Sequence, residues 1–273
     1  MSEQNQLSFT EPGEKKILFL NSYGLWTLYK KETMRFLKVW TQTVAAPAIT
    51  TLLFMAVFAL ALGADRAAMG FRFTDFLVPG LVMMAVIQNA YQNPSSSILI
   101  GKVQGNIIDV LMPPLSPLEL TLGYVGGGIT RGLIVGLTVL FAFSLVPFIT
   151  IHMTHPLIAL YFFVSGSIMM SLVGALTGIW AQKFDHTAAI YNFIVMPLSL
   201  LSGTFYTIDR LTPAFQAVSK VNPFYYLIDG FRYGFLGKGD SDLMIGVLYT
   251  LGINCVLAYV VYLVFKTGWK LRP

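Results

Sequence analysis

Charge is what this 273-residue chain has least of: Asp, Glu, Lys and Arg make up 11% of it, against about 25% in soluble globular proteins. So few charges cannot cover a water-soluble fold of this length, which excludes an ordinary cytosolic enzyme. A hydrophobic content of 55% excludes a disordered chain. Cysteine is nearly missing as well. The single Cys255 rules out an intrachain disulfide framework and any cysteine-based metal site. There is no G-x-x-x-x-G-K-[ST] phosphate loop, so ATP is not bound by that route, and neither an HExxH zinc motif nor a G-x-S-x-G nucleophile elbow occurs. His152 and His155 share one short loop without a third ligand and read as turn residues; His186, beside Asp185, reads as a surface residue.

What is present is apolar length. A helix needs about 20 mostly apolar residues to cross the hydrocarbon of a bilayer. Residues 39–62 form one charge-free run, 76–100 a second that turns polar at Gln88, Asn89, Gln92 and Asn93, and 132–182 a third. The third is too long for one span and divides at Pro147, His155 and Pro156. The chain therefore reads as an all-α polytopic membrane protein with one six-span domain at 39–265. Its spans fall at about 39–62, 76–98, 122–147, 156–181, 187–207 and 243–265, between an N-terminal segment 1–38 and a tail 266–273. The polar first 16 residues are no cleavable signal.

Basic residues near span ends set orientation. With the N-terminus inside, the inner segments hold Lys15, Lys16, Lys30, Lys31, Arg35, Lys38, Lys102, Lys183, Lys266, Lys270 and Arg272. The outer loops hold only Arg66, Arg72, Arg210, Lys220, Arg232 and Lys238. Both termini are thus expected in the cytoplasm. Arg131 is the one charge placed inside a span, about two turns into the third, and reads as a packing or snorkelling side chain before a cargo ligand. Without acidic residues in the spans, no proton or sodium relay is visible. If the chain transports, its energy must come from a partner.

Three segments outside the spans carry further pattern. Residues 21–39 are amphipathic, with Lys31, Arg35 and Lys38 at helical spacing and Leu25, Trp26, Leu28, Tyr29, Phe36 and Leu37 as apolar surface. Such a helix lies in the cytoplasmic interface, rings among headgroups and basic groups toward anionic lipid. Residues 101–116 (GKVQGNIIDVLMPPLS) predict a short helix from Asn106 to Met112, stopped by Pro113 and Pro114. Residues 207–242 are too charged to span and too aromatic for a free loop; they predict two short helices broken at Asn222–Pro223 that re-enter the outer leaflet, with Asp229 and Arg232 spaced to pair. Small residues four apart, Gly128, Gly132 and Gly136 in span three and Gly174 and Gly178 in span four, predict close helix packing.

Four stretches carry a family likeness: RFLKVWTQTVAAPAITTLLF at 35–54, FLVPGLVMMAVIQNAY at 76–91, GYVGGGITRG at 123–132, and LSGTFYTIDRLTPAFQAVSKVNPFYYLIDGFRYGFLG at 201–237. With these the chain resembles the permease subunit of a type-2 ATP-binding-cassette exporter, most closely the YadH-type branch. The resemblance implies a homodimer meeting through spans one and five, with a cognate ATPase subunit that binds ATP and Mg; no cofactor is expected on this chain. It implies that residues 101–112 form the coupling segment, with Lys102, Gln104, Asn106 and Asp109 as its polar contacts, and 212–236 the re-entrant pair. Gly105 and Ile108 stand where related sequences often carry a basic and an acidic residue, so the docking surface is less charged than usual. Membrane lipid is an expected partner and nucleic acid is not. The expected function is export of an amphipathic, lipid-linked, polysaccharide or drug-like substrate. A secondary carrier or channel, and a non-transporting assembly subunit, remain the alternatives.

Overall fold

The computed structural model describes residues 20–63, 67–68, 70–147, 149, 151–208 and 212–271. Lys15, Lys16, Arg66, Arg210 and Arg272, used above for orientation, lie outside the described residues. Among the described residues the regular structure is helical apart from one short hairpin, Ala67–Ala68 (β1) antiparallel to Phe71–Arg72 (β2). The helices are α1 Ser22–Leu37, α2 Ala46–Leu62, α3 Phe73–Val103, α4 Ile107–Leu111, α5 Pro117–Ser144 and α6 Pro156–Trp180. They continue as α7 Phe184–Ile190, α8 Met196–Leu200, α9 Pro213–Val221, α10 Pro223–Leu236 and α11 Leu243–Thr267. Five helical stretches among the described residues are long and apolar enough to cross a membrane: Thr41–Ala61, Phe73–Val103, Pro117–Ser144, Pro156–Trp180 and Leu243–Thr267.

The first and fifth apolar runs share a local device. A wide π turn, Thr41–Ala45, leads into α2 just before Pro47, and a second, Tyr191–Val195, joins α7 to α8 just before Pro197. A proline ring crowds the carbonyl four residues back, and here those residues, Thr43 and Phe193, lie inside the widened turns. A π turn gives that carbonyl room. The fifth run then departs from the expected 187–207. Its helical part, from Phe184 to Leu200, is about 25 Å long at 1.5 Å per residue, and the chain bends from Leu201 to Tyr206 around Gly203, whose φ is +75°.

Helix α3 is the axis of the bundle. It packs against α5 and α6 along most of its length, with α2 and α10 against the same rod, while α11 leans on α6, α5 and α10. The close approach rests on absent side chains. A Cβ on Gly178 of α6 would lie 2.9 Å from the Ser95 carbonyl oxygen of α3, so the two backbones touch. Helix α5 begins five residues before its expected span, at a capping box: Ser116 Oγ accepts from Glu119 N at 3.3 Å, and Glu119 Oε2 accepts from Ser116 N at 2.6 Å. The other Glu119 oxygen accepts from Asn21 N, which fastens the start of α1 to the start of α5.

The packing gives a direct test. Gly178→Val should cost about 1–3 kcal/mol or more by overpacking against α3. Gly252→Ala, where a Cβ meets nothing within 4 Å, should be neutral or gain up to about 1 kcal/mol of helix propensity. Thermal unfolding of both variants in one detergent separates them; equal shifts would remove the contact between α3 and α6 as the cause.

Candidate functional site: a polar seam inside the helical bundle

The polar half of α3 does not face lipid. Asn89, Asn93, Ser95 and Ser97 are buried. Pro94 interrupts the backbone ladder there, and Ser95 Oγ and Ser96 Oγ donate to the carbonyls of Tyr91 and Gln92 at 2.8 and 2.6 Å. The seam gathers charged side chains from two other helices. From α1, Arg35 Nη2 donates to Asn93 O and Oδ1 at 2.7 and 3.0 Å, and Nη1 to Ser96 Oγ at 3.2 Å. From α5, Arg131 Nη2 donates to Asn89 Oδ1 at 3.0 Å and to Gln92 Oε1 at 3.2 Å. Arg131 lies nearly four turns along α5, deeper than the two expected, because the capping box starts the helix at Pro117. It is 7% exposed and packs against α3.

Helix α1 buries the row Leu28, Glu32 and Phe36, spaced four apart. Glu32 is fully buried; Ser97 Oγ donates to its Oε1 at 2.7 Å, and Arg35 Nε stands 3.7 Å from its Oε2. Burial lifts its pKa above the ordinary 4.5, opposed by the Arg35 charge and the Ser97 hydrogen bond. Glu32 was absent from the sequence reading because the segment around it is polar; its place between Leu28 and Phe36 at helical spacing was the available signal. Of the other interface-helix residues, Trp26 and Lys31 are exposed, with the Trp26 ring 5.5 Å from that of Tyr29, while Arg35 turns into the bundle.

The segment between α3 and α5 is anchored at both ends. Lys102 Nζ donates to the carbonyls of Ile179 and Ala181 at 2.5 and 2.6 Å, which caps the C-terminus of α6. Ile107 is buried and Val110 and Leu111 are half-buried, whereas Ile108 and, just past the helix, Met112 are exposed. Gln104, Asn106 and Asp109 are exposed, with Asn106 Nδ2 3.3 Å from Gln104 Oε1. Asp109 and Lys31 line one groove of about 340 Å³ between α4 and α1. The structure thus brings Asp109 beside the interface helix and sends Lys102 inward.

At the opposite end, α10 is a core element. Asp229 and Arg232 are each 1% exposed. Their approach is loose, 4.0 Å between Arg232 Nη1 and Asp229 Oδ1. Each has closer partners. Asp229 accepts from Asp240 N at 2.9 Å and from Ser241 N and Oγ at 2.8 and 2.5 Å. Arg232 Nη2 donates to Gly203 O at 2.6 Å, and its guanidinium lies 3.9 Å over the Phe76 ring.

Long apolar helices closing over a polar seam define a multi-pass membrane protein. The family model described as ABC-2 type transporter matches residues 23–236, from α1 to the end of α10. The chain is 40% identical over 244 residues to the inner membrane transport permease YadH of Escherichia coli (strain K12), covering 88% of this chain and 92% of that relative. It is 22% identical over 236 residues to nodulation protein J of Rhizobium leguminosarum bv. viciae, 82% of this chain and 87% of that protein. The chain belongs to the ABC-2 type transporter family, as a YadH-like membrane permease of the bacterial inner membrane.

Two measurements probe the buried charges at the two ends. Arg232→Leu leaves the buried Gly203 carbonyl without its donor and should destabilise the chain by about 1–3 kcal/mol; thermal unfolding in detergent reads it, and a shift within noise would release Arg232 from that role. For Glu32, the folded chain binds the proton more tightly than the unfolded chain between pH 4.5 and the raised value. Within that window stability falls as pH rises and returns on acidification. Glu32→Gln should flatten this slope, and an unchanged pH profile of unfolding would refute it.

Proposed function

We propose that this permease forms the translocation pathway of an ATP-driven exporter, working as a homodimer with two copies of a separate ABC ATPase that holds ATP and Mg. Family membership carries this reading, since an ABC-2 membrane subunit implies an ABC ATPase partner and this chain contains no phosphate loop. Six spans, both termini inside, are proposed with α7 and α8 as the fifth crossing and with α9 and α10 re-entering from the outer side. Helix α4 serves as the coupling helix. Its exposed face, Ile108, Asp109 and Met112, would meet the ATPase with Gln104 and Asn106, while Lys102 holds the segment to α6. Lipid headgroups would surround Trp26 and Lys31. The cargo class proposed is amphipathic, lipid-linked, polysaccharide or drug-like.

Tagged full-length chain, extracted in mild detergent from its own host, should carry an ABC ATPase in a complex of two permeases and two ATPases by native mass spectrometry, and hydrolyse ATP. Asp109→Lys should lose the ATPase or uncouple its hydrolysis from cargo, while insertion and dimerisation survive, because truncating one partner of a desolvated charge pair costs about 2–5 kcal/mol. A permease without ATPase or hydrolysis would overturn the ATP-driven reading in favour of a carrier or assembly subunit. An intact, fully coupled Asp109→Lys complex would remove α4 from the docking surface.

A further inference from the structure

We propose that the cavity beside Arg131 holds the anionic head group, a phosphate or carboxylate, of an amphipathic molecule. The inference rests on the transport reading for its biological sense but not for its chemistry. The cavity measures about 260 Å³ and lies among the first turns of α2, the middle of α3, α5 and Tyr191 of the second π turn. That is just under the roughly 300 Å³ at which pockets for drug-sized ligands begin, room for a head group and not for a whole lipid.

The charge is what calls for an anion. Arg131 is 7% exposed inside an apolar bundle, and the acceptors on its Nη2 are the neutral amide oxygens of Asn89 and Gln92. None of the ion pairs among the described residues includes it, and its buried Nε has no hydrogen-bond partner there. A buried cation held only by neutral dipoles is costly in a membrane protein; an anion taking guanidinium N–H groups in parallel removes that cost and supplies the strongest geometry available to arginine. Gln42 and Gln88 add amides to the polar side of the wall, and Phe54 and Leu81 make the other side apolar. The mouth is the face of Gln42, Ala46 and Thr50, four residues apart and all exposed. Along the same helix Ile49 and Leu53 are exposed too. A chain leaving the cavity there passes onto the apolar face of the first span, which in the proposed homodimer runs between the subunits, as the tail of an amphiphile would.

The test uses the full-length chain in dodecyl maltoside and radiolabelled decyl phosphate, with equilibrium dialysis against protein-free micelles. Saturable binding is expected, weakened at least tenfold by Arg131→Gln, as loss of a charge-assisted contact predicts, and partly restored by Arg131→Lys. Thr50→Phe fills the mouth from an exposed position whose hydroxyl is committed to Ala46 O; it should weaken binding equally with an unchanged unfolding midpoint, and it decides the matter if Arg131→Gln does not fold. Competition identifies the source. Displacement by phosphatidylglycerol supports the site as one for a resident lipid, and failure of phosphatidylglycerol with binding retained supports a cargo. Inorganic phosphate or decanol competing as well as decyl phosphate would overturn the amphiphilic anion. So would wild-type affinity in both Arg131→Gln and Thr50→Phe. Decyl phosphate binding in a permease that carries no ATPase would sink the ATP-driven reading alone, and an ATPase complex without arginine-dependent binding would sink this site alone.

Discussion

The fold turns on keeping non-helical backbone out of lipid. Between Leu201 and Tyr206 the chain leaves its helix, and every carbonyl freed there needs a donor from the protein, since lipid offers none. Arg232 supplies one to Gly203 and Asn222 supplies another to Leu198. Thr204 Oγ1 answers Ser199 O at 2.9 Å. The guanidinium reaches this loop only because residue 80 of α3 is glycine: a Cβ there would sit 2.8 Å from Thr204 O and 3.2 Å from Arg232 Nη2. Phe76, one turn earlier, covers the cation with its ring. The bend after α8, the burial of α10 and the position of α3 are therefore one structural problem with one solution.

That problem explains which parts of the molecule were legible in the sequence. Hydrophobic length located the long helices, because transfer into lipid is a sum over residues and needs no knowledge of neighbours. Proline and Asn222 marked the breaks, because they act on their own backbone. The end of the fifth helix was not legible. Residues 201–207 carry no charge or proline to end it, and the side chains that hold the bend, Arg232 and Asn222, lie about 20–30 positions away. Glu32 was missed for a related reason. A carboxylate in a polar segment reads as solvated, and only the docking of α1 onto α3 and α5 shows that it is enclosed.

The same docking changes what the polar end of α3 means. In the sequence, Gln88, Asn89, Gln92 and Asn93 weaken a span. In the fold Asn89, Gln92 and Asn93 are the acceptors that let two arginines enter the bundle, Arg35 from α1 and Arg131 from α5, while Gln88 lines the cavity. Glu32 balances only the first of these, through its 3.7 Å approach to Arg35. The seam is thus graded, with an internal counter-ion toward α1 and, among the described residues, none beside the cavity. A permease that must accept a charged group and later release it has reason to leave its cation answered by weak neutral dipoles, because a permanent carboxylate would occupy the same donors.

On the proposed reading, movement of α4 against an ATPase has to reach the cavity through α3. Ile107 of α4 stands near Gly101, and Lys102 ties the same end of α3 to the last carbonyls of α6. From Lys102 back to Gln92 is about 15 Å of helix. If α3 moves as a rigid rod, the amides that hold Arg131 move with the docking loop. If it bends, Pro94 is the place that resists least, since its missing N–H already breaks the ladder and the hydroxyls of Ser95 and Ser96 already answer the Tyr91 and Gln92 carbonyls. Bending there would strand few backbone groups in lipid, yet it would shift Asn89 and Gln92 relative to Lys102. Either motion alters the surroundings of Arg131. On that reading a single helix, polar on the side that faces α1 and α5, links the docking loop to the cavity.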